Sequence, residues 1–352
     1  MTGSRSNLTG SAADKQLREA QDAVMEELRA ASNSERRLPD FFIAGHAKCG
    51  TTALYGMLSA HPQIYMSAVK EPEYLSRAPQ HRLRGPSEPA KRLPDTLERY
   101  LALFADASPD QLAGEASTEY LRTPGTAARI AALCPDARII AMFREPVSFV
   151  RSLHLQLLQV GVETESDFVK ATGLEADRRA GRHVPRECRW PPALLYSEHV
   201  HYTRQLREYH EHFGRERVLT LIYDDFLADN ERVMREVLRF LAVDETIAIE
   251  PTTANPTLRV RSQRGERLVN AVSVGKGPVS RTLKRTLKTV LPERVRKDAH
   301  RKAVRLVIDT EPAPPPEEFI EELRHRFAGE VSEVSEYLER DLVKLWGYET
   351  LS

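Results

Sequence analysis

The stretch Phe41-Phe42-Ile43-Ala44-Gly45-His46-Ala47-Lys48-Cys49-Gly50-Thr51-Thr52 decides how the rest of the chain is read. Its apolar opening reads as a buried strand. The apolar run 53–60, stopped by His61-Pro62, reads as a helix. A strand, a glycine loop and a helix N-terminus form an anion-binding device, because the first-turn amides lack helical partners and the helix dipole favours negative charge there. Gly45 and Gly50 let the backbone wrap an anion closely. Lys48 adds a mobile positive charge, and Thr51 and Thr52 add hydroxyl donors. The loop is not a Walker A sequence, which sets Lys directly after the second Gly. Here Thr51 follows Gly50, Lys48 lies two residues before it, and no Ser or Thr follows the Lys to hold Mg²⁺.

Working outward, 352 residues with 41% apolar content suffice for a sizeable core, as one large α/β domain or two smaller ones. Lys plus Arg and Asp plus Glu both number 51, so bulk charge does not point to nucleic acid. Cys49, Cys134 and Cys188 are odd in number and widely spaced, which gives neither a disulfide framework nor a metal-ligand spacing. His199 and His201 do not share a helix face, so they are not read as a metal pair. The N-terminus is polar and no apolar run approaches the ~18 residues of a membrane span. A soluble, reducing, cytoplasmic setting is the expectation.

Residues 1–12 read as disordered and 14–31 as a helix, together a flexible N-terminus and leading helix over 1–37. A short strand is expected over 63–67 and a helix over 95–104 with Asp95 as N-cap. Further helices are expected over 125–133, 194–213 (ended by Gly214) and 231–241. The runs 138–143 and 217–223 read as buried parallel strands. Strands alternating with helices, with anion motifs at strand ends, predict a doubly wound parallel sheet flanked by helices.

Three further stretches carry chemistry. Lys70-Glu71-Pro72-Glu73-Tyr74-Leu75 is stiffened by Pro72. Gly114-Glu115-Ala116-Ser117-Thr118-Glu119-Tyr120-Leu121 follows. Arg144-Glu145-Pro146 then begins where the strand 138–143 ends. Its guanidinium is a planar fork suited to phosphate, Pro146 suits a first helical turn, and Ser152 lies about two turns along.

With the Lys48 loop, these stretches resemble the sulfotransferases that use 3′-phosphoadenosine 5′-phosphosulfate (PAPS), over roughly 38–347. The closest likeness in motif style is to glycan sulfotransferases. G-x-x-K-x-G-T-T is similar to their 5′-phosphosulfate loop, and R-E-P with Ser152 to their 3′-phosphate segment. The resemblance implies a P-loop-like α/β sulfotransferase fold forming one domain over 38–347. Within it, 259–312 is a basic loop and helix region and 313–347 holds C-terminal helices. It implies PAPS as cofactor and 3′,5′-adenosine bisphosphate (PAP) as product, with Gly45, His46, Ala47, Lys48, Cys49, Gly50, Thr51 and Thr52 cradling the 5′ end and Arg144 and Ser152 holding the 3′-phosphate. Tyr196 matches a Tyr near the nucleotide, and Arg259, Arg261 and Arg264 match a basic loop that closes over it. The position matching the general base is Glu71, with Glu73 and His183 as alternatives and Lys48 as the second catalytic residue. No metal is implied.

The chain departs from the family pattern at two positions, of which Ala116 bears on the acceptor. Thr118 stands where Pro is usual, and Ala116 stands where several glycan-modifying members carry Lys, which argues against a heparan-like substrate. A carbohydrate, lipid or secondary-metabolite hydroxyl, or an amine, fits as acceptor. The basic 259–305 region reads as a cofactor clamp, a membrane-surface patch or a solvated face. Oligomeric state is left open. A P-loop kinase or a non-catalytic nucleotide-binding protein are the rival readings.

Overall fold

The computed structural model describes residues 7–76, 93–186, 188, 190–247, 259–260, 308–309 and 315–351. In chain order the elements are α1 (Asn7–Ser32), β1 (Phe41–Ile43), α2 (Thr51–Ser59), β2 (Ile64–Met66), α3 (Leu97–Leu101), β3 (Leu112–Ala116), α4 (Thr126–Leu133) and β4 (Arg138–Phe143). There follow α5 (Pro146–Gln159), α6 (Phe168–Gly173), α7 (Glu175–Arg179), α8 (Tyr202–Phe213), β5 (Val218–Ile222), α9 (Tyr223–Ala228) and α10 (Asn230–Leu241). Two-residue strands β6 (Arg259–Val260) and β7 (Ile308–Asp309) precede α11 (Glu317–Tyr337) and α12 (Leu342–Leu345). The chain divides into two compact units, one containing Leu93–Phe143 and the segments up to Ser76 and from Arg204 through α10, the other containing Arg144–Thr203 and the described residues from 259 onward.

The first unit is built on a five-stranded parallel sheet in the order β2-β3-β1-β4-β5. Its centre is apolar on both faces: Phe41, Phe42, Ile43, Ile139 and Ile140 are fully buried, as a parallel sheet between helix layers requires. From β1 the chain crosses toward β2, and from β4 it crosses the other way toward β5. The switch point therefore falls between β1 and β4, where ligands of open α/β sheets collect beyond the strand C-termini. β1 runs into the Lys48 loop and β4 runs into Arg144. The expected fold class is the one observed.

Four local readings differ from the structure. β3 was not anticipated, since Gly114 and Glu115 break its apolar run. Residues 7–12 are helical rather than disordered. The cap of α3 is Thr96, whose hydroxyl accepts from the Arg99 amide, while Asp95 pairs with the Arg99 side chain at 2.7 Å. The span 194–213 is not one helix. Two 3₁₀ turns, Pro191–Leu194 and Tyr196–His199, precede α8. The Ser197 amide donates to Glu175 at 3.0 Å, and the Ala193 carbonyl faces His199 Nε2 at 3.2 Å, so the pair that a continuous helix would join is engaged elsewhere.

In the second unit, Phe319, Leu323, Phe327 and Val331 of α11 recur every four residues on one buried face, and α11 packs on α5. β6 and β7 pair antiparallel. Most of the basic 259–305 region lies outside the described residues. Among the described residues no helix is long and apolar enough to cross a membrane.

Candidate active site

The sheet builds the Lys48 loop in steps. Past β1, the Ala44 amide donates to the Ile140 carbonyl at 2.9 Å and the His46 amide to the Met142 carbonyl at 3.2 Å, so pairing with β4 continues into the loop. A Cβ at Gly45 would fall 2.6 Å from Met142 Cβ and 2.9 Å from its nitrogen, so glycine is required by contact with β4. The chain then reverses through two left-handed residues, Lys48 (φ 65) and Gly50 (φ 89). Gly50 is the N-cap of α2 and offers that helix end no side-chain cap. Thr51 is buried at the helix start and Thr52 is exposed. From Gly45 to Thr52 the charged or hydroxyl-bearing groups are one ammonium and two hydroxyls, with no carboxylate. That donor set suits phosphate or sulfate oxygens.

His46 anchors this loop. Its ring is 1% exposed, lies edge-on to Phe143, and sets Nε2 2.8 Å from Gln205 Oε1. With that amide oxygen accepting, Nε2 carries the proton. Burial lowers its pKa to about 4 against the Gln205 hydrogen bond, with a smaller lowering from Arg122. The imidazole is neutral at pH 7, and its amide and ring nitrogen are both engaged within the first unit.

The segment after β2 places the candidate bases. Glu71 (φ 59) and Glu73 (φ 53) are both left-handed. The Glu71 carboxylate meets Lys70 Nζ at 2.6 Å and keeps 39% of its side-chain surface exposed. Glu73 is buried, with its amide donating to the Ser117 hydroxyl at 3.1 Å. His183 is exposed and lies 3.6 Å from Asp177.

In the second unit, Arg144 Nη1 donates to Ser152 Oγ at 3.2 Å, so the structure brings this predicted pair together. The Tyr202 hydroxyl donates to the Arg144 carbonyl at 2.9 Å. Glu145 caps α5 through the amides of Val147 and Ser148 and accepts from the Tyr348 hydroxyl at 2.6 Å. That cap occupies the first amides of α5. Phe149 is buried against the rings of His199 and Tyr202. Tyr196 is buried, and its hydroxyl donates to Glu163 at 2.8 Å, a carboxylate also held by Arg178. Arg259 lies in β6, and Arg261 and Arg264 lie outside the described residues.

Residues the sequence reading missed act as supports. Gln205 positions His46. Arg122, buried beside Glu119 as its ion-pair partner, contributes charge near His46. Ser117 and Tyr120 hold the 71–75 backbone. Ser117 and Tyr120 lay inside a stretch singled out for its resemblance, whereas Gln205 carries no local signal.

A five-stranded parallel sheet flanked by helices, with a glycine loop after its central strand and the Arg144–Ser152 pair after the neighbouring one, is a P-loop-like α/β fold. Residues 39–246 match the sulfotransferase family, and the chain belongs to it. Mouse carbohydrate sulfotransferase 15 is 28% identical over 248 residues, covering 58% of this chain and 44% of that protein. The human protein of that name is 33% identical over 155 residues, covering 34% of this chain and 27% of that one. The chain thus spans less than half the length of these curated relatives. The crystal structure of a sulfotransferase from Alicyclobacillus acidocaldarius superposes with a TM-score of 0.60 at 26% identity, covering 88% of this chain and 99% of that one.

Proposed function

We propose that this protein transfers a sulfuryl group from PAPS to a hydroxyl or amine of an acceptor, with a carbohydrate hydroxyl foremost. The observation that carries the reading is the Arg144–Ser152 pair directly after β4, in a chain whose β1 leads into a carboxylate-free anion loop. PAPS, when bound, supplies the activated sulfuryl group and leaves as PAP. The Lys48 ammonium, the α2 amides and the Thr51 and Thr52 hydroxyls stabilise charge growing on the leaving 5′-phosphate oxygen. These groups take the place that Mg²⁺ holds in phosphoryl transfer. Arg144 and Ser152 hold the 3′-phosphate and so select PAPS over ATP.

Glu71 takes the acceptor proton. As the acceptor oxygen bonds to sulfur, its O–H bond breaks and the carboxylate becomes a carboxylic acid. The exposure of Glu71 supports this role over Glu73, which is buried. The match to a carbohydrate sulfotransferase supports a sugar acceptor. A cytoplasmic setting belongs to the same proposal.

The test is PAP release from PAPS in EDTA with a panel of monosaccharides, oligosaccharides and lipid alcohols. One acceptor class is expected to turn over, and Glu71→Gln is expected to lower kcat about 100-fold or more, the usual contribution of a general base. Turnover seen only with ATP and Mg²⁺ would replace this reading with a kinase.

A further inference from the structure

The segment that carries Glu71 has little regular structure of its own, yet its backbone is pinned at every second residue. The Glu71 amide donates to the Ala116 carbonyl at 2.9 Å, the Glu73 amide to the Ser117 hydroxyl at 3.1 Å and the Leu75 amide to the Tyr120 hydroxyl at 3.2 Å. Arg129 Nε donates to the Leu75 carbonyl at 2.5 Å, and the Tyr74 ring stacks on Tyr100 at 4.9 Å. The pattern extends the pairing of β2 with β3, since Ser67 already donates to the Gly114 carbonyl at 2.9 Å. Past the end of β3, two side-chain hydroxyls take over the accepting role that backbone carbonyls play in a sheet.

These bonds work against a conformational preference. Glu71 and Glu73 both have positive φ, a region that non-glycine residues occupy only when their surroundings impose it. A carboxylate carried on such a backbone takes its direction from whatever holds the backbone.

Ser117 has a second attachment. Its amide donates to the carbonyl of Ile43 at 3.1 Å, the last residue of β1 and two residues before Gly45. One fully buried serine therefore ties the strand that launches the Lys48 loop to the segment that carries Glu71. Its amide serves the first and its hydroxyl the second.

We propose that Ser117, backed by Tyr120, is a positioning residue that sets the Glu71 carboxylate relative to the Lys48 loop. This rests on the reading of Glu71 as the base. Ser117 touches no reacting atom and acts by fixing the distance between the group that takes the proton and the group that stabilises the leaving oxygen. Displacements of about 1 Å in such a geometry cost on the order of 100-fold in rate. The bond from Glu73 to Ser117 needs only an oxygen acceptor at that point, so threonine serves where alanine does not.

The test compares Ser117→Ala, Ser117→Thr, Tyr120→Phe, Glu71→Gln and the Ser117→Ala/Glu71→Gln double variant. PAP release is measured with PAPS and a pooled oligosaccharide acceptor, PAP affinity by calorimetry, and amide exchange over residues 70–75 by mass spectrometry. Ser117→Ala is expected to lower kcat roughly ten- to hundredfold while PAP affinity holds within about twofold, and to speed exchange at 71–75. Ser117→Thr is expected to recover most of the rate, and Ser117→Ala is expected to cost nothing further once Glu71 is gone. If Ser117→Ala does not accumulate as folded protein, Tyr120→Phe must show the same split between kcat and PAP affinity. Loss of turnover in Glu71→Gln with an unchanged kcat in Ser117→Ala, or a loss of PAP affinity matching its loss of kcat, overturns the positioning role alone. Full turnover in Glu71→Gln overturns the base assignment itself, and the positioning role with it.

Discussion

The guanidinium of Arg144 donates to the Ser152 hydroxyl across 3.2 Å, joining the residue that follows β4 to one two turns into α5. The arginine backbone is held as well, by the Tyr202 hydroxyl on its carbonyl. Side chain and backbone of Arg144 are thus each held by a hydroxyl, and a planar fork pre-organised in this way would lose less entropy on binding a phosphate. Arg144→Ala is expected to weaken PAP binding about tenfold to a hundredfold, the worth of a hydrogen-bonded charge of 1.5–3 kcal/mol. Arg144→Lys should not restore it, because a point charge lacks the planar fork. Ser152→Ala should lose less, about tenfold at most. Titration calorimetry with PAP on each variant checks the order.

Gly45→Ala should destabilise the fold. The new methyl would meet the backbone of Met142 at 2.9 Å, in the central pair of the sheet, where neither strand can retreat. Overpacking of this kind costs about 1–3 kcal/mol. Urea denaturation of the variant should show a lowered midpoint at an unchanged slope.

Two buried groups give the stability a dependence on pH. His46 has a folded pKa of about 4, below the ordinary 6.5, so the unfolded chain binds the extra proton between those values. Its contribution is full above pH 6.5 and is lost as pH falls toward 4. Glu115 is fully buried in β3, and burial raises its pKa to about 8, against the Tyr120 and Tyr100 hydroxyls, which lower it. Here the folded protein holds the extra proton, so stability declines as pH rises from 4.5 toward 8. Each slope approaches about 1.4 kcal/mol per pH unit. The two oppose each other between pH 4.5 and 6.5, and Glu115 acts alone from 6.5 to 8. Denaturation midpoints of the wild type should therefore fall over pH 6.5–8, and Glu115→Gln should flatten that fall. An unchanged decline in Glu115→Gln would contradict the assignment.

Tyr348→Phe should loosen the second unit from its C-terminal end. Its hydroxyl donates to Glu145 at 2.6 Å, and Arg324 lies over its ring at 5.9 Å. Removal leaves the buried Glu145 carboxylate short of one donor while the α5 amides remain. The expected cost is about 1–3 kcal/mol, read by chemical denaturation.

What the sequence made legible was local. β4 is a continuous apolar run from Ile139 to Phe143, and both stretches read as anion-binding motifs sit at strand ends with their own glycines, proline and charges. β3 escaped notice because Gly114 makes room for the Phe41 ring and Glu115 is a buried acid, and both disguise a central strand. Thr96 rather than Asp95 caps α3 because the Asp95 carboxylate is drawn to Arg99. The supports of the site were hidden for a different reason. Gln205 reaches His46 across 159 positions, and Ser117 reaches Glu73 across 44. Periodicity and spacing carry no trace of such contacts, which exist only once the sheet has brought the strands together.

The central claim is that this chain recognises an adenosine nucleotide by its 3′-phosphate. The most direct measurement is calorimetric titration of wild type and Arg144→Ala with PAP, AMP and ATP-Mg²⁺, the first two in EDTA. The account predicts tight, metal-independent binding of PAP that exceeds AMP by an order of magnitude or more in wild type and falls to the AMP level in Arg144→Ala. Equal affinity for PAP and AMP, or a preference for ATP-Mg²⁺, would contradict it.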